Sequence, residues 1–138
     1  MPILESGLIY NILFQEHFEE DIESYKTLLG ISEKHGYMLA VVYGETQEGN
    51  HMTNAVGSSV KIQNHYREIR EDLKEYFSGV IGGIMGNKIA VLVPYKHENM
   101  DYNERISLIE KAREAARAMR KHSDIIFRIG IGDVQEIS

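Results

Sequence analysis

Apolar residues recur along this chain in two rhythms, and each change of rhythm marks an element. In residues 3–14, "ILESGLIYNILF", Leu4, Leu8 and Ile12 fall one helical turn apart, with Ile9 and Leu13 beside them. That is more apolar surface than one helix face needs, so a helix with contacts on two sides is expected. Residues 18–29 repeat apolar positions at Phe18, Ile22, Tyr25 and Leu29, a single stripe, and Gly30 is placed to end the helix. The run "GYMLAVVYGE", residues 36–45, is short, apolar and rich in β-branched and aromatic residues. It predicts a buried central strand.

The polar stretch "TQEGNHMTN" predicts a loop, and from Ser58 helical spacing returns at Ile62, Tyr66, Ile69, Leu73 and Tyr76 or Phe77, with Gly79 closing the helix. Two apolar strands, residues 80–85 and 88–94, then flank Gly86-Asn87, a pair suited to the positive φ angles of a two-residue hairpin turn. A long helix is expected over residues 104–122, presenting Ile106, Ile109, Ala112, Ala116 and Met119 on one face. "DIIFRIGIG", residues 124–132, predicts a last strand. The order from the first strand onward is β-α-β-β-α-β, an α+β, two-layer arrangement of ferredoxin-like type with helices added at the N-terminus. Residues 1–30 form the helical linker in this reading, and residues 31–138 form the domain.

Composition narrows the function. With 43% hydrophobic and 26% charged residues in 138, the chain has the balance of one folded domain rather than of a disordered segment. Its net charge of -6 disfavours direct contact with nucleic acid or an anionic membrane, since both need a basic surface. The absence of cysteine removes disulfides, thiolate nucleophiles and cysteine-based zinc sites. No apolar run reaches the roughly 20 residues that span a bilayer, and no leader pattern opens the chain, so a cytoplasmic location is expected.

Candidate chemistry is sparse. The six histidines show no i,i+3 or i,i+4 pairing on a helix and no HxH strand, so no metal site is assigned. His65, next to Tyr66, is a candidate pH-sensitive contact. Lys111, Arg113, Arg117, Arg120 and Lys121 read as the solvated face of a helix, with cations gathered at its negative end. Glycines 79, 82, 83 and 86 lack the spacing of a phosphate-binding loop and suit strand entry, close packing and the turn.

The element order, with "GVIGGIMGNKIAVLVPY" at its centre, resembles the GGDEF family of diguanylate cyclases, in which a hairpin bearing Gly-Gly-Asp-Glu-Phe leads into a strand ending in proline. Counting back from Pro94, the signature positions fall on Met85, Gly86, Asn87, Lys88 and Ile89. "FRIGIG" is similar to the closing strand of that family. Where the family places a carboxylate that helps hold metal on a nucleotide triphosphate, this chain has Lys88. A cation there repels a metal ion by about 4 kcal/mol per unit of metal charge at ~4 Å and an effective dielectric near 20. Met85 replaces the first glycine, adding bulk where backbone would approach a phosphate. The aspartate that the family carries near the end of its first strand has no counterpart in "MLAVVYGETQEG", which offers Glu45 and Glu48 instead.

The resemblance is nearer to the degenerate GGDEF-like module in the middle of bacterial AraC-type response regulators. It implies a noncatalytic module of a two-component transcription regulator that relays signal and dimerises, without enzymatic activity or cofactor. A receiver domain and a helix-turn-helix domain are then expected elsewhere in the parent chain, and Leu4, Leu8, Ile9, Ile12 and Leu13 are the expected homodimer face. Two alternatives stay open: a small-molecule sensor using the former nucleotide cleft at Tyr43, Gly44, Glu45 and Glu48, and a residual cyclase.

Overall fold

Strand β1 (His35–Tyr43) carries Tyr37, Leu39, Val41 and Tyr43 on one face, all buried, and it is the strand the rest of the sheet is built on. The computed structural model describes Glu5, residues 26–43 and residues 51–137, with residues 51–61 and Met85 described by their backbone alone. Downstream of β1 follow α1 (His51–Tyr76), β2 (Val80–Met85), β3 (Lys88–Tyr95), α2 (Tyr102–Ser123), β4 (Phe127–Ile131) and a short β5 (Gln135–Glu136). All strand pairs are antiparallel, in the order β2-β3-β1-β4, and β5 also pairs with β1. The architecture is α+β with an open antiparallel sheet.

The main core lies between one sheet face and the two helices. Leu39, Val41, Ile89 and Val91 from the strands meet Ile62, Ile69 and Leu73 of α1 and Leu108, Ala115 and Met119 of α2. A smaller cluster sits on the opposite face, where Val80, Ala90, Leu92 and Ile137 pack with Leu29, Ile31 and Met38. Residues 26–29 are helical and stop at Gly30, whose φ of +75° permits the left-handed turn. There Ile31 N–H bonds to Lys26 O at 2.8 Å and Gly30 N–H to Thr27 O at 3.2 Å, the paired bonds of a Schellman motif.

Several boundaries differ from the sequence pattern. Helix α1 begins at His51, within the stretch expected to be a loop, because helical backbone bonding does not require an apolar stripe and "HMTNAVG" carries little of one. In α2 the buried stripe is Leu108, Ala112, Ala115, Met119 and Ser123, so Ile106 is exposed and Leu108 takes its place. Helix α2 starts at Tyr102, two residues early, since the Asp101 side chain accepts the Glu104 N–H at 2.8 Å. Asp124 ends the same helix in the left-handed region, φ 59°, which delays β4 to Phe127. The expected helix over residues 3–14 and most of that over 18–29 lie outside the described residues.

A polar contact joins the two helices outside the core. Asp72 of α1 is buried, and its Oδ2 lies 2.8 Å from Nδ1 of His122 at the end of α2. Hydrogen bonding to Asp72, and then the charge of Asp72, raise the His122 pKa above its ordinary 6.5. Glu68 raises it further, while Lys121 and partial desolvation oppose the shift. Because the folded chain holds this proton more tightly than the unfolded one, the contribution is complete below pH 6.5 and is lost as pH rises through the folded-state value. The melting midpoint of wild type should therefore exceed that of His122→Gln at low pH, and the gap should close as pH rises. A gap constant across pH 5–9, measured by calorimetry in roughly half-unit steps, would rule out this coupling.

Candidate functional site

The hairpin that carries the signature positions is built from its turn outward. Met85 and Lys88 pair across it, and Gly86 has a φ of +63°. Asn87 does not share the positive φ expected of it, since Asp124 is the one non-glycine with positive φ among the described residues. A positive φ at the first turn position alone meets the requirement of a II′ turn, which a glycine there supplies without strain. Further along β2 the register shifts between Ile81 and Ile84, so that Gly82 and Gly83 form a bulge opposite Ala90.

Two tyrosines hold the backbone of this hairpin. Tyr43, at the end of β1, donates its hydroxyl to Gly86 O at 2.6 Å, and its own N–H bonds to Asn87 O at 3.1 Å. Tyr66, from α1, donates to Gly82 O at 2.9 Å at the bulge. Burial raises the Tyr66 hydroxyl pKa, with Glu5 adding to the shift and Arg70 opposing it. The hydroxyl therefore stays protonated and remains a donor at neutral pH. Tyr43 thus sits against the turn, holding its carbonyl.

Charge around the turn is positive on the strand side. Lys88 is exposed, and the register sets it opposite Val42, which in turn lies opposite Arg128. Residues directly opposite each other share a sheet face, so Lys88 and Arg128 stand about 10 Å apart across β1 on the face away from the helices. Beside Lys88 that face has a cavity of about 470 Å3, floored by Ala40, Ala90, Gly130 and Gly132. No group of three or more His, Cys, Asp or Glu side chains converges anywhere among the described residues. No family model matches the chain, and no curated protein matches it.

Of the sequence-derived candidates, the structure brings together Tyr43, Gly86, Asn87 and Lys88, with Met85 and Ile89 in the flanking strands. Gly44, Glu45 and Glu48 lie outside the described residues, as do Leu4, Leu8, Ile9, Ile12 and Leu13. His65 makes an exposed contact with Glu68 at 3.3 Å, and a second imidazole–carboxylate contact, His122 to Asp72 at 2.8 Å, joins the two helices. Asp101, exposed, caps α2; the Asp-x-x-Glu spacing to Glu104 is the signal for it. Among the described residues no helix is long and apolar enough to cross a membrane.

The least expected participant is Glu5. It is buried, and its carboxylate accepts from Ile81 N–H at 2.6 Å and from Arg70 at 2.7 Å, bridging β2 and α1. An acid inside an apolar run was the available signal, but its partner lies 76 residues away.

Removing a single hydroxyl tests the two tyrosine clamps. Tyr43→Phe and Tyr66→Phe should each lower unfolding free energy by about 0.5–1.5 kcal/mol with an unchanged denaturant slope. A variant as stable as wild type in urea titration would show that its carbonyl bond contributes nothing.

Proposed function

We propose that this chain is a noncatalytic relay and dimerisation module, a degenerate GGDEF-like domain of a bacterial AraC-type response regulator. On this reading the fold is ferredoxin-like, of the nucleotide-cyclase kind. Its support is the β-α-β-β-α-β order combined with the β2-β3-β1-β4 antiparallel sheet. The observation that carries the functional reading is the hairpin, which keeps its place and its tight turn while offering an exposed Lys88 where metal chemistry needs a carboxylate. Tyr43, bonded to the Gly86 carbonyl, adds bulk and hydrogen bonding to the place where the turn would face a phosphate.

The relay itself would be a matter of helix packing. An N-terminal helix with apolar residues on two sides has one face for its own domain and one for a second copy, and a change in the geometry of that pairing reaches the sheet through Glu5. A sensor reading has one observation in its favour: the cavity beside Lys88 is largely apolar with a cation at its margin, the composition of a site for a small organic anion.

Purified protein incubated with GTP and magnesium should yield no cyclic dinucleotide, and product detected by mass spectrometry would overturn the noncatalytic reading. Sedimentation equilibrium should show a dimer that Leu8→Glu with Ile12→Glu dissociates. A wild-type monomer across the micromolar range would remove the dimerisation role. Thermal stabilisation by a small carboxylate, absent in Lys88→Ala, would favour the sensor.

A further inference from the structure

The two edges of the sheet are finished differently. On the β2 side the Ile81 N–H is occupied by the Glu5 carboxylate, and the bulge at Gly82 and Gly83 breaks the ladder beside it. Both features blunt an edge against added strands. On the other side β4 pairs with β1 in continuous register, and its run "FRIGI" contains no proline, lysine or bulge. Among the described residues no strand pairs with its outer side.

The register settles which backbone groups point outward. Gly132 N–H donates to Met38 O at 2.8 Å. Pairing alternates along an antiparallel ladder, so Arg128 and Gly130 also bond to β1, while the N–H and C=O groups of Phe127, Ile129 and Ile131 point away from it. Those outward groups border a groove of about 420 Å3 between β4 and α2. Ile109, Ile129 and Ile131 supply apolar lining, and Arg105, Arg113 and Arg128 line the same groove. Arg105 reaches Asp133 at 3.5 Å, but Asp133 is 87% exposed, so that ion pair is screened and weak. The guanidinium groups of Arg105 and Arg113 on the groove side, with Arg128 on the opposite face of β4, set a local field opposite in sign to that of the whole chain, whose net charge is -6.

We infer that the β4 edge is a docking site for an extended acidic peptide segment of a partner protein, which adds to the sheet as a further strand. Its backbone pairs with Phe127, Ile129 and Ile131, and on the side facing α2 its apolar side chains lie on the groove lining while its carboxylates meet Arg105 and Arg113. A second copy of this chain is the poorer occupant, because edge-to-edge pairing of two β4 strands gathers six arginines around one seam. The inference rests on the sheet edge and stands apart from the reading of the hairpin.

The probe is a fluorescein-labelled heptapeptide of sequence VTETVTE, whose valines and glutamates share one face when it is extended, titrated into the 138-residue protein with anisotropy as readout. Saturable binding that weakens with added salt is expected, together with no binding of the counterpart with lysine in place of glutamate. Arg105→Ala combined with Arg113→Ala should weaken binding roughly tenfold or more. Unchanged circular dichroism and melting would show that this variant folds. N-methylation of alternate residues should abolish binding when it falls on the pairing side of the peptide and not on the other. Absence of binding would overturn the inference, and so would binding indifferent to N-methylation on either side, which would signify capture of carboxylates without strand addition. Self-association of the protein, dissolved by Ile129→Pro at an outward-facing N–H, would overturn it in favour of a second copy.

Discussion

Strand β1 bears the most constraint in this molecule. It bonds to β3 over eight residue pairs, to β4 over five and to β5 over two, so nearly every backbone group it has is committed within the sheet. Its odd-numbered residues are the ones buried under the helices, and a slip of one residue would turn Leu39 and Val41 outward together with their partners on both sides. Shared register thus couples β3 and β4, which do not touch each other. The position of the hairpin turn relative to Tyr43, and of the β4 edge relative to α2, both follow from that one alignment.

The elements legible in the sequence are those whose cause is local. The alternation in β1, the Gly86 turn and the stripe of α1 from Ile62 onward announce themselves because each rests on neighbours within a few residues. The contacts that finish the structure do not. Glu5 bonds to Ile81, Asp72 to His122 and Tyr43 to Gly86 across 76, 50 and 43 residues, and no spacing rule connects such positions before the topology is known. Two residues of β5 are too few to show a period at all. The turn was legible only in part: the Gly-Asn pair was evident, but the choice between one positive φ and two depends on how the strands twist into it. Of the candidate site, the hairpin positions were readable, while Tyr66 and Arg128 enter only through the bulge and the cross-strand register.

The tyrosines also bear on the proposed reading of the hairpin. Were the hairpin only a holder for metal ligands, replacement of its carboxylate would leave it without a task. Here its carbonyls at Gly82 and Gly86 accept from α1 and from β1 respectively, and its second strand supplies Ile89 and Val91 to the main core. The turn is therefore required by the sheet whatever happens at Lys88. On the proposed reading, that separation is what would let chemistry be lost from such a site without loss of the fold.

A similar separation holds at the sheet edges. Closing an edge with a buried carboxylate, as Glu5 does at β2, ties that residue to the domain and protects one backbone donor in the same contact. At β4, whose outer side no described strand covers, the outward backbone groups lie in a field set by three arginines. An uncharged open edge would invite association of identical chains. A positively charged one selects against its own kind and admits strands of opposite charge, so the same side chains that keep the β4 edge soluble also define what it can receive.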